Sequence, residues 1–193
     1  DIRLALHQPV PWLLALTFAA YALQFFAVVI WLPTFLQEQR ALSPGIIALL
    51  SALVIAVNVP GNLAGGALLY HHVNRGHLIS AASLIMGLAG LGIFSEDVPD
   101  ALRYACCLVL TGVGGMIPVA VLSSSIVLAP TPQQIGTLQG LYLQGSNFGQ
   151  FAGIPLIAGI VAASGQWQSA LVVTASASAV GIVLGLFVAR SGK

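Results

Sequence analysis

Long runs without charge constrain this chain more than any other feature. Thirty-four uncharged residues separate Arg3 from Glu38, 34 separate Arg40 from Arg75, 20 separate Arg75 from Glu96, and 86 separate Arg103 from Arg190. An ionised side chain at the centre of a membrane-spanning helix costs roughly 2.5–3.5 kcal/mol, so the charges mark loops and the gaps hold whole helices. A span needs about 20 apolar residues. The first three gaps therefore hold one helix each, near 12–36, 46–70 and 78–95. Pro130, Pro132 and Ser164-Gly165-Gln166 divide the last gap into three, near 102–128, 136–163 and 168–189. The expected fold is an all-α membrane protein, a single bundle of six transmembrane helices whose first partner is the lipid bilayer.

Composition excludes the alternatives. Only 6% of residues are charged and 58% are hydrophobic, with a mean hydropathy of +0.98. A soluble domain carries charge on about a quarter of its residues, and a disordered chain needs low hydrophobicity. A net charge of +1 offers no field for nucleic acid. Cys106 and Cys107 are adjacent and point to different faces of a helix, so they read as packing residues. Trp12 and Trp31 bracket the first span, Tyr70 ends the second, Tyr104 opens the fourth and Trp167 the sixth, at the depth where such rings collect. Residues 9–30 are too long for a signal peptide, lack a cleavage-like end, and read as part of the bundle. The chain starts at Asp1 rather than Met and is expected to be a fragment. Six spans put both termini on one side with Arg3, Arg75, Arg190 and Lys193, against Arg40 and Arg103 on the other. The positive-inside rule then predicts cytoplasmic termini.

An internal repeat is legible. Gly61-Asn62-Leu63-Ala64-Gly65 in span two matches Gly149-Gln150-Phe151-Ala152-Gly153 in span five at an offset of 88. Trp31-Leu32-Pro33 in span one matches Met116-Ile117-Pro118 in span four at an offset of 85. Two three-helix units, inverted by their odd number of spans, are a common transporter plan.

Polar residues at membrane depth need partners in protein, water or ligand. In span five, Gln139, Tyr142, Ser146, Asn147 and Gln150 fall within an arc of about 140°, with Gln144 off the stripe. Gly145, Gly149 and Gly153 form a neighbouring strip that admits a close helix. Span two adds Asn58 and Asn62 around Pro60-Gly61, where one asparagine either repairs the proline break or meets a ligand. Span one adds Tyr21 and Gln24, one turn beyond Thr17. Span four carries Gly114, Gly115 and Pro118, a stretch built to bend, then Ser123-Ser124-Ser125, hydroxyls expected to bond back to their own helix. Spans three and six have no amide beyond their first residues and read as lipid-facing outer helices.

No cofactor or metal is implied. His71, His72 and His77 read as a solvated turn without a second ligand set. Every histidine is terminal or in a loop, so the buried Ser-His pair of an intramembrane protease is lacking, and the expectation is not an enzyme. No Asn-Pro-Ala turn of the aquaporin kind occurs.

Taken together, six spans, a three-plus-three repeat and an amide-rich fifth span resemble the C-terminal half of a major facilitator superfamily transporter. The loop after span two is similar to that family's signature: Gly65, Gly66, Arg75 and Gly76 fit, whereas the family's acidic residue is replaced by Tyr70 or a neighbour. Within the family, Ile30-Trp31-Leu32-Pro33, Asn58-Val59-Pro60-Gly61 and Gln144 to Gln150 look similar to bacterial permeases of the cyanate and nitroimidazole type. The resemblance implies alternating-access transport of a small-molecule substrate in a bacterial inner membrane. It implies a missing N-terminal six-helix half, or a second copy, as partner. Pro33, Pro60, Gly61, Gly114, Gly115 and Pro118 would be packing and hinge positions, and the Gly145, Gly149, Gly153 strip a close sliding contact. Spans one and four would line the cavity and spans two and five would meet the other half, with ion-coupling residues in the part not shown. A sensor or scaffold built on the same six helices is the alternative.

Overall fold

The computed structural model describes residues 7–95, 97–129 and 131–191. Arg3, Glu96, Pro130 and Lys193, used above to place loops and orientation, lie outside the described residues. Among the described residues, six segments are long and apolar enough to cross a membrane: Pro9–Glu38, Pro44–Tyr70, Arg75–Phe94, Asp100–Leu128, Pro132–Ser164 and Trp167–Ser191. Among the described residues there is no strand.

The spans form eight α-helices, because two of them are broken in the middle. Span one is α1 (Pro9–Arg40), span two is α2 (Pro44–Ala56) with α3 (Asn58–Tyr70), and span three is α4 (Arg75–Phe94). Span four is α5 (Asp100–Gly114) with α6 (Met116–Leu128), span five is α7 (Ile135–Ser164), and span six is α8 (Ala170–Ser191). Local chemistry sets their ends. Proline stands in the first turns of α1 and α2, where its missing N–H costs nothing. Asn74 caps α4, its side-chain oxygen accepting from the His77 N–H at 3.2 Å. Gly165 stops α7 in the left-handed region at φ 68°.

Both breaks stand three residues before a proline, at Val57 before Pro60 and at Gly115 before Pro118. A proline inside a helix removes one hydrogen bond and presses on the preceding turn, which loosens the chain there. Pro33 behaves differently from this expectation: α1 runs unbroken through it, with Leu32 and Leu36 buried on either side.

Glycine decides which helices approach closely. A Cβ at Gly145 or Gly149 would overlap the Ala15 or Ala19 carbonyl, and one at Gly153 would sit 3.0 Å from Leu23 Cγ. The strip on α7 thus rides on α1 at matching steps of four residues, and the two helices run parallel. The same pairing recurs between spans two and four, with Gly61 on Gly112 and Gly65 on Met116. These partners put spans one and four at an offset of 93, so Pro33 and Pro118, at 85, are two turns out of register. The inverted repeat is real in its packing, and the glycine motif carries it where the proline pair does not. The strip is a fastening within this bundle, not the expected sliding contact.

Spans three and six cross antiparallel through small residues, with Gly76 against Gly185 and Ala189, Gly87 against Ser178, and Gly90 against Thr174. They expose apolar outer faces, such as Leu88 at 58% and Phe187 at 50%, yet each also buries a long face. The least covered spans are two and five, with 11% and 17% of their most apolar windows buried, against 39–56% for the rest. Span one is the most enclosed, since α1 packs on α2, α5, α6, α7 and α8.

Candidate functional site

The two breaks meet. A Cβ on Gly115 would run into the Asn58 carbonyl, and one on Gly112 would touch Val57. Segments of 13 residues lie on each side of the Val57 break, and 15 and 13 flank the Gly115 break, so the junction is at mid-depth of both spans. Asn58 fastens it. Its amide donates to Tyr21 Oη at 3.1 Å and to the Thr111 carbonyl at 2.8 Å, joining spans one, two and four. Asn62 donates to the Asn58 carbonyl at 3.0 Å and to Asn58 Oδ1 at 2.8 Å. Neither asparagine reaches the Ala56 carbonyl that Pro60 leaves free. All four amide hydrogens are spent, which leaves Asn62 Oδ1 and the Tyr21 hydroxyl hydrogen without a bond among the described residues.

Other polar residues are consumed by the bundle. Gln24 is 1% exposed, accepts from Ser178 Oγ at 2.8 Å and donates to the Ala20 carbonyl, so it ties span one to span six. Tyr142 is fully buried and bonds to Ser124 at 3.1 Å. Gln139 donates to Ser125 Oγ at 3.2 Å. Arg75 donates to Ser123 Oγ at 3.3 Å. The three serines therefore do more than bond back to their own helix, although Ser124 and Ser125 do that as well. In the loop motif, Gly76 permits the crossing with span six and Gly66 faces Val119 at 4.0 Å. His71, His72 and His77 are exposed.

The rest of the α7 stripe stays open. Ser146 and Gln150 are partly exposed and Asn147 is exposed, as are Gln144, Phe148 at 70% and Phe151 at 80%. None of the four polar side chains has a hydrogen bond among the described residues. Helix geometry explains the division. Tyr142 lies beside the glycine strip that seats on α1, so it turns inward. Asn147 lies about 160° from the centre of that strip and turns outward. Asn147 is near the middle of the 30-residue helix.

Sequence reasoning missed a charged cluster at the far end of the bundle. Asp100 at the start of α5 takes a bidentate contact from Arg40, both bonds 2.7 Å, and Arg103 stands 3.9 Å from the same carboxylate. Donating to the Asp100 carboxylate raises the Arg40 pKa above its ordinary value. Both guanidinium groups lie over the Phe35 ring, at 5.5 and 5.4 Å. Trp31 and Trp167 pack together at 5.9 Å between centroids. These residues were visible only as loop charge, since the 60-residue separation of Arg40 and Asp100 hides the pairing.

A polytopic helical bundle with two broken spans joined at mid-depth by amides has the build of a secondary transporter. The sequence model of the Major Facilitator Superfamily matches residues 1–154, spans one to four and more than half of span five. The chain belongs to the Major Facilitator Superfamily, a family of membrane transporters. Comparison with curated proteins returns no match.

Proposed function

We propose that this chain supplies the C-terminal six-helix half of a twelve-helix transporter that carries a small solute by alternating access. The observation that carries this is the open α7 stripe. Ser146, Asn147 and Gln150 are unbonded at mid-depth, while Gln24, Asn58, Tyr142 and Gln139 all have partners. Unsatisfied amides facing lipid are untenable, so the stripe needs water, solute or another protein surface. The low burial of spans two and five supports a second six-helix unit against these two spans. Asn62 and Tyr21, with a spare acceptor and a spare donor at the broken junction, complete the solute-facing set. In this reading Gln24, Gln139 and Tyr142 are fastenings. Both termini lie on the cytoplasmic side of a bacterial inner membrane, in keeping with the basic residues near them. The Pro60 and Gly145-to-Gln150 segments favour the cyanate and nitroimidazole permease type.

The test is uptake into proteoliposomes carrying the full transporter, with labelled cyanate and 2-nitroimidazole as first solutes. Asn147→Ala and Gln150→Ala are each expected to lower uptake at least tenfold without changing expression or thermal midpoint, because neither side chain holds another helix. Unchanged uptake in both variants contradicts the site assignment.

A further inference from the structure

The charged end of the bundle encloses a cavity of about 520 Å³, a size suited to a small organic ligand. It lies inside this six-helix unit, away from the α7 stripe, between the ends of α1 and α4 and the starts of α2 and α5. Its walls are apolar and aromatic, with Trp31, Phe35, Phe94 and Trp167 among them, and Arg40, Asp100 and Arg103 line it as well. A cleft of about 340 Å³ shares Phe35, Arg40, Arg103 and Trp167, so the two spaces meet at the arginines.

Two hydrogen-bond donors in this wall are unspent. The Arg103 side chain is 12% exposed, its Nε donates to the Ile93 carbonyl at 3.0 Å, and its contact with Asp100 at 3.9 Å is too long for a hydrogen bond. Its two terminal nitrogens thus have no hydrogen-bond acceptor among the described residues. The Trp31 indole N–H is buried and likewise has no partner. Arg40 is engaged bidentately by Asp100, whereas the Tyr104 hydroxyl is spent on the Leu50 carbonyl at 2.9 Å. Among the described lining residues there are two guanidinium groups and one carboxylate. A guanidinium held largely but not fully out of water, with donors no side chain meets, is ready to take an acceptor.

We propose that this cavity binds a monoanionic organic acid with an apolar body. The carboxylate accepts hydrogen bonds from Arg103 and from the Trp31 indole, and the body lies among Trp31, Phe35, Phe94 and Trp167. Charge-assisted recognition by a guanidinium in a largely apolar pocket favours a carboxylate over a neutral analogue of the same shape. Such a site lies outside the proposed solute path, and its occupancy is measurable without transport.

Binding of 2-naphthoate to the purified protein in nanodiscs, followed by calorimetry and by quenching of tryptophan emission, tests this. Saturable binding is expected, with 2-naphthalenemethanol at least tenfold weaker. Arg103→Gln should weaken 2-naphthoate at least tenfold and leave the neutral analogue unchanged. Trp31→Phe keeps an aromatic wall but removes the indole N–H together with part of the ring; it should weaken the acid several-fold more than the neutral analogue, so it serves if Arg103→Gln fails to fold. Laurate run as competitor separates sources. Displacement by laurate at lower concentration than by 2-naphthoate marks a membrane-derived acid, and the reverse order marks a soluble one; both support the site. Equal binding of the acid and the alcohol, or no binding of either acid, overturns it.

Discussion

Gly149→Leu is expected to abolish the folded bundle. Gly149 sits where α7 crosses α1, and any Cβ there overlaps the Ala19 backbone carbonyl. A flexible side chain could swing aside, but a carbonyl inside the ladder of α1 cannot move without parting the two helices. Their contact is the most extensive in the structure. Ordinary overpacking costs about 1–3 kcal/mol. Here the backbone itself is displaced, so a cost above about 4 kcal/mol is expected, in the range reserved for wholesale core damage. Gly140 and Gly159 lie on the same helix with no atom within 4 Å of a built Cβ. Leucine at either should change stability by about 0.5 kcal/mol or less, or raise it slightly through helix propensity. Unfolding in mixed micelles with increasing SDS, read by far-ultraviolet circular dichroism, compares the three. A native-like transition in Gly149→Leu would contradict the close contact.

Asn58→Leu carries the next largest effect. One amide holds Tyr21 of span one and the Thr111 carbonyl of span four to span two, at the point where two of those spans are broken. Interhelical hydrogen bonds in membranes average about 0.6 kcal/mol and reach about 1.7. Losing both, with the Asn62 bond to Oδ1, should cost about 2 kcal/mol. Asn62→Ala should cost about 0.5 kcal/mol, since its bonds stay within α3. A double-mutant cycle with Tyr21→Phe isolates the shared bond, and a coupling energy near zero would show that Tyr21 and Asn58 do not hold one another.

Much of this architecture was legible in the sequence because charge is so costly in lipid. The gaps between charged residues placed the first three spans and the turn signals in the longest gap divided the other three, with structural ends a few residues from the expected ones. The glycine motif exposed the repeat, since close approach of two helices demands small residues at fixed spacing. What was not legible is which polar residue meets which helix. Tyr21 and Gln24 face the same way on α1, but α1 is surrounded, so that face is buried and one bond runs to Ser178. Spans three and six read as outer helices because they hold only small and hydroxylic polar groups. Those same small groups are what let them cross tightly, and no periodicity in span six announces that Ser178 meets Gln24. The α7 stripe was one feature in sequence and two in space. The neighbouring glycine strip contained the missing clue, as the edge next to the glycines must follow them inward.

The charged cluster extends the same lesson. Scarcity of charge suggested that selectivity rests on amides, hydroxyls, aromatics and glycine packing. Folding brings Arg40, Asp100 and Arg103 to one rim and lays both arginines over Phe35, so charged side chains also line space inside this bundle. Residues 60 apart in the chain cannot be paired by spacing, only by knowing that the end of span one faces the start of span four.

The central claim is that the open edge of the α7 stripe faces water in the assembled transporter. In a background carrying Cys106→Ala and Cys107→Ala, Asn147→Cys should react with a membrane-impermeant maleimide in intact proteoliposomes. Phe187→Cys, on the exposed outer face of α8, should react only with a lipid-soluble maleimide. Labelling of Asn147→Cys by the lipid-soluble reagent alone would place the stripe in the bilayer and contradict the account.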